Sequence, residues 1–147
     1  MVNEMSEEMI KYHEKSNTFI AQKKAFFENE VNIDGNFIVG AGANFWGDLA
    51  VKGTLKLGKG SIVNGNIEAD DIIIGPRSEI KGNVEAGNDL NVFDSVKISG
   101  SATAGRDMHI RPGCNIGFAK AKTILELIGK VEVKEIESGT KVIVRSE

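Results

Sequence analysis

Between Ile33 and Ile116 an apolar residue returns at every sixth position. The count runs through Ile33, Val39, Phe45, Val51, Leu57, Val63 and Ala69, loses one residue, and resumes at Ile74, Ile80, Ala86, Val92, Ile98, Ala104, Ile110 and Ile116. A second series stands four residues after each mark: Phe37, Ala43, Leu49, Leu55, Ser61, Ile67, Ile73, Ser78, Val84, Leu90, Val96, Ala102, Met108 and Cys114, with Ile73 read across the missing residue. Neither series contains a charge, although 27% of the chain is charged. Chance would put about four charges among fifteen such positions, so burial selects the pattern.

An amphipathic helix needs spacings of three and four, and this series leaves that face after one turn. A short strand that points in, out and in again, followed by a bent corner, repeats every six. Three such sides make a coil of eighteen residues. The glycines carry the same period: Gly47, Gly65, Gly82, Gly100 and Gly117 are separated by steps of 18, 17, 18 and 17. "GNVEAGNDLNV" from Gly82 and "GSATAGRDMHI" from Gly100 are therefore one wall of two successive coils.

The fold expected is all-β: a three-sided parallel β-helix whose coils stack at the sheet spacing of about 4.8 Å. Looser matches at Ala21 and Phe27 extend it upstream, giving six to seven coils over residues 18–147. From about residue 120, "KTILELIGKVEVKEIESGTKVIV" keeps strand character after the strict count is lost and is read as a strand-rich cap, whose part from Val131 is a final coil, a hairpin that covers the edge or the second stacking surface. Residues 1–17 lie outside the repeat. Met5, Met9, Tyr12, Ser16 and Phe19 form a weak helical stripe, so this segment is expected to be a short helix or a mobile tail. Corner residues such as Gly58, Gly65, Gly82, Gly100 and Gly113 stand where positive φ or a fixed turn is expected.

The remaining composition narrows the function. A chain of 147 residues with 41% hydrophobic content is one domain with its own core. With 18 basic and 21 acidic residues, a net charge of −3 does not supply the positive excess that phosphate backbones demand, so nucleic acid is not an expected partner. The first residues lack the basic and apolar regions of a signal peptide, and a lone Cys114 makes no internal disulfide; both fit a cytoplasmic protein.

No catalytic, cofactor-binding or metal-binding residue is expected. Zinc sites of the γ-carbonic anhydrase kind need three histidines, against His13 and His109 here. His109, between inward Met108 and Ile110, points to solvent, and Cys114 takes an inward slot as a small core residue. "GTLKLGKG" from Gly53 ends on Gly60 where a P-loop needs a hydroxyl, and it lies on repeat strands. "GAGANF" from Gly40 lacks the third glycine of a dinucleotide site, and Asp89 and Asp94 do not make a calcium repeat. A left-handed hexapeptide β-helix, acting as a trimeric acyltransferase on an acyl-coenzyme A donor with His109 as base, is the alternative. The unbroken count from Ile33 to Ile116 leaves no loop to wall its pocket.

A coil without a pocket still has two ends, each exposing a strand edge and a section of core, and contacts between ends that do not close give a filament. The phrases "VKGTLKLGKGSIVNGNIEADDIIIGPRSEIKGNVEAGNDLNV" and "ISGSATAGRDMHI", preceded by "NTFIAQKKAFFENEVNIDG", resemble the bactofilins over roughly residues 18–116. The resemblance implies a right-handed β-helix that is not an enzyme and needs no cofactor. It also implies self-assembly without nucleotide through end coils, into a scaffold that holds protein cargo, often near the membrane. The first residues carry no evident membrane-targeting stretch, so membrane association is left open. Seven of the nine aromatic residues, Tyr12, Phe19, Phe26, Phe27, Phe37, Phe45 and Trp46, fall in the first third of the chain. They plug the first coils, and Phe19, Phe26 and Phe27 are the candidate self-assembly residues.

Overall fold

A computed structural model describes residues 9–147. They form a parallel β-solenoid of about seven turns with about 18 residues per turn. The first side of the successive coils is built by Thr18–Ala21, Asn36–Val39, Thr54–Leu57, Asp71–Ile74, Leu90–Val92, Met108–Ile110, Ile124–Ile128 and Lys141–Arg145. The second side begins with Phe26–Phe27, Asn44–Phe45, Ile62–Val63 and Glu79–Ile80, and the third with Val31–Ile33, Leu49–Val51, Ile67–Ala69 and Val84–Ala86. From the fifth coil the second and third sides run together as Lys97–Ala104, Asn115–Ala121 and Glu132–Ser138. Each residue pairs with the one a coil away: Ile67 with Val84, Val84 with Ala102, and Ala102 with Ala119.

All fifteen residues of the six-residue series are buried, from Ile33 at 4% exposure to Ile116 at 0%. Each large aliphatic side chain in these columns contributes on the order of 1.5–3 kcal/mol of burial, offset by ordering entropy. One companion is corrected. Ile72 is the inward residue of its coil, fully buried and paired with Leu55 and Leu90, while Ile73 faces out between Lys56 and Asn91. The missing residue falls at the corner before Asp71, so the strand starts one position earlier than a deletion after Ile73 would place it.

The same shift explains the segment after residue 120. One residue is absent at the corner following Ile116, so the inward slots become Ala119 and Ala121 and then Leu125 and Leu127. The solenoid continues through this segment, and Lys141–Arg145 adds one further side in register with Ile124–Ile128.

Ile10–His13 forms a strand rather than a helix, antiparallel to Thr18–Ala21 and joined to it by a single 3-10 turn at Glu14–Ser16 and by Asn17 at φ 49°. Tyr12 stands opposite Phe19 and Ile10 opposite Ala21, so the stripe read as helical is satisfied by a hairpin laid over the first coil. Met5 lies outside the described residues.

The repeated glycine is explained by space. Gly65, Gly82 and Gly100 do not take positive φ, one of the two expectations for these corners, and neither does Gly47. Instead, a Cβ on Gly82 would stand 2.5 Å from the Gly65 carbonyl oxygen, and one on Gly100 would stand 2.7 Å from that of Gly82. The polar residue after each glycine ties the corner together. Asp48 Oδ1 accepts the Asn66 N–H at 2.8 Å, Asn66 Oδ1 the Asn83 N–H at 2.9 Å, and Asn83 Oδ1 the Ser101 N–H at 2.9 Å. Gly82→Ala should therefore lower stability by about 1–3 kcal/mol through overpacking, read as a fall in the urea midpoint.

The corner joining the first and second sides does require the left-handed region. Gly42 has φ 69°, Gly60 φ 64° and Gly113 φ 82°, but the equivalent residue is Lys24 at φ 60° in the first coil and Arg77 at φ 59° in the fourth. A side chain there costs on the order of 1 kcal/mol relative to glycine.

Candidate self-assembly surfaces

Among the described residues, no strand covers the core columns beyond Lys141–Arg145. Val142 continues the column of Met108 and Leu125, and Val144 continues that of Ile110 and Leu127. Leu125 is fully buried, yet Val142 is 46% and Val144 71% exposed. Ile136, which follows Ala102 and Ala119 on the third side, is 42% exposed. No described strand pairs with the outer edge of Lys141–Arg145. This end therefore presents an apolar cross-section together with unpaired backbone donors and acceptors.

At the opposite end the hairpin covers the first side, and Phe26–Phe27 and Val31–Ile33 are the edge strands of the other two. The Tyr12 and Phe19 rings lie 4.5 Å apart, with Phe19 half-buried and Tyr12 exposed. All three candidate aromatic residues lie in the first coil: Phe19 is on the strand the hairpin covers, and Phe26 and Phe27 form the edge strand of the second side. Phe27 is enclosed in the first coil, stacked on Phe45 at 4.7 Å, and Phe37 meets Phe45 edge-on at 6.3 Å. Phe26 points outward from the flank, with Trp46 6.0 Å away in the next coil.

The last strand is pinned from outside. His109 Nδ1 lies 2.8 Å from Glu126 Oε1, and Arg145 Nε donates to Glu126 Oε2. Asn91, His109, Glu126 and Ile143 form one outward column across successive coils, so this carboxylate ties the open-end strand to the coils beneath it. The hydrogen bonds from His109 and Arg145 hold the Glu126 carboxyl below its ordinary range. Because protonation is disfavoured in the folded state, the stabilisation is complete above the ordinary carboxylate range and is lost as pH falls through the lowered value. The Ile143 and Arg145 amides, which face Ile124–Ile128, should lose protection relative to the intrinsic exchange rate at acid pH in the wild type, and Glu126→Gln should bring that loss to neutral pH.

Neither chemically versatile residue is arranged as a reaction centre. His109 lies on a sheet face with Glu126 as its partner, in a groove bordered by Asn91, Phe93 and Arg111. Cys114 is buried, its Sγ–H donates to the Phe93 carbonyl at 2.9 Å, and burial pushes the thiol up from its ordinary range, away from the reactive thiolate. Among the described residues, no three metal-ligating side chains stand together, and no helix is long and apolar enough to cross a membrane.

The fold and its open end define a parallel β-solenoid that presents sheet edges at both ends of a continuous core. The family model described as "Bactofilin: Polymer-forming cytoskeletal" matches residues 18–122, and the chain belongs to the bactofilin family. No curated protein and no solved structure matches it. The sequence offered the aromatic residues as plugs of the first coils, with Phe19, Phe26 and Phe27 as candidates for also meeting a neighbour. It left open whether the segment from Val131 caps the coil or ends it, because a valine in a core column and one at an open end look alike in one dimension.

Proposed function

We propose that this bactofilin is a non-enzymatic scaffold element that polymerises end to end without nucleotide. The observation that carries the reading is that Ile136, Val142 and Val144 occupy core columns yet remain exposed at an unpaired strand edge. A second molecule seated there would bury these side chains and pair the edge, supplying the terms that join one coil to the next within the chain. An open polymer needs both ends, and the Tyr12–Phe19 hairpin is the second surface. Nothing in these contacts calls for a bound phosphate.

Electron microscopy of the purified protein without nucleotide tests the proposal. Filaments are the expected result. A compact trimer, or a dimer that does not grow with concentration, would overturn it. Acyl transfer from acyl-coenzyme A that is lost in His109→Ala would replace it with the acyltransferase reading.

A further inference from the structure

The net charge of −3 hides a sorted distribution. The corner between the first and second sides carries Lys23 and Lys24 in the first coil, Lys59 in the third, Arg77 in the fourth and Lys130 in the seventh, all exposed. None of the five forms an ion pair with a described residue. Asp94 is the acidic residue of this edge, and it is bound to Arg111 at 3.1 Å.

In a three-sided coil this edge stands opposite the third side. There, and at the corner leading into it, the exposed residues of the first four coils include Glu28, Glu30, Asp48, Glu68 and Glu85. Lys52 and Lys81 are the cations interspersed among them. The acidic residues named also lack ion-pair partners among the described residues. Each molecule thus carries a basic edge and an acidic face at the same heights along its axis.

Two of the cations stand where the backbone favours glycine. Lys24 and Arg77 adopt left-handed φ at the corner position that Gly42, Gly60 and Gly113 occupy in other coils and Ser95 occupies in the fifth. The fold does not require a side chain there, since a Cβ at Gly60 would meet nothing within 4 Å. Charge is placed on this edge against local conformational preference.

We infer that the basic edge is a lateral docking surface for the acidic third side of a second copy of this chain, with the coils of the two molecules side by side. The two unlike surfaces stand on opposite sides of the coil, so each contact leads on to the next in one direction rather than round a ring, and it propagates into a bundle or sheet. Single exposed ion pairs are weak and screened by salt, but side-by-side polymers sum many of them. This goes beyond end-to-end stacking and rests on different residues.

The test uses the full chain in ~50 mM and ~500 mM salt, chosen on either side of the screening length that separates the charges. Light scattering and electron microscopy report bundles, and sedimentation reports lateral oligomers of unpolymerised protein. The expected result is bundles at low salt that disperse into single filaments at high salt. Lys24→Gly with Arg77→Gly, which relieves the left-handed strain, should keep the urea midpoint at or above wild type while scattering falls to that of single filaments. Lys23→Glu with Lys59→Glu should do the same, and mixing that protein with Glu68→Lys, Glu85→Lys should restore bundles. Bundles insensitive to both salt and charge reversal would overturn the inference. So would loss of bundling that the complementary pair does not rescue, which would assign the edge to another polyanion. Should filaments fail to form, end stacking fails. The lateral contact is then read from low-salt oligomers of the unpolymerised chain, whose absence would overturn it too.

Discussion

Val144→Glu should abolish filaments while leaving the monomer folded. The side chain is 71% exposed, so the isolated protein loses little, within about 0.5 kcal/mol for a surface change. In an end contact, the carboxylate would enter the column that Ile110 and Leu127 occupy within the chain. Burying an unpaired charge there costs at least several kcal/mol. With each 1.4 kcal/mol worth about tenfold in affinity, the concentration needed for assembly should rise by more than ~100-fold. Pelleting across a concentration series measures this, and circular dichroism checks that the strand signal persists. Filaments that form at the wild-type concentration would move the contact away from this end.

Phe27→Glu should act in the opposite way, through the fold. Phe27 is fully buried and stacked on Phe45, itself in edge contact with Phe37. Removing a core aromatic side chain costs about 3–5 kcal/mol, and an unpaired buried carboxylate adds to that. Against a total stability of about 5–15 kcal/mol, the first coils should unfold. Phe26→Glu, one residue away but outward, should shift the urea midpoint by less than about 1 kcal/mol equivalent. If the two variants unfold together, Phe27 is not packed as described.

Their contrast shows where the sequence was legible. Alternation gives Phe26 and Phe27 opposite sides of one strand, and the six-residue count already put Phe27 inside with Ala21 and Ile33. It did not decide what an inward aromatic residue at the first coil does, because covering the core and meeting a neighbour demand the same apolar side chain. Ile73 was misplaced for a related reason: "DIII" offers three apolar residues in a row, and only the pairing of Ile72 with Leu55 and Leu90 fixes which one points in. The hairpin at Ile10–His13 was missed because Met9, Tyr12 and Phe19 also fit a helical face, and an antiparallel pairing across a turn has no period to count.

Fold class, coil length and most of the inward columns between Ile33 and Ile116 were determined by the sequence alone, since a repeating coil writes its register locally: a buried slot recurs at a fixed distance along the chain except where a corner loses a residue. The ends and the edges were decided only in three dimensions. Exposure of Val142 and Val144 depends on there being no described strand beyond them. The near-even charge count became a basic edge and an acidic face only when residues six coils apart, Lys23 and Lys130 among them, were brought onto one corner. Burial follows from a residue's place within its own coil, whereas a surface is assembled from all coils together.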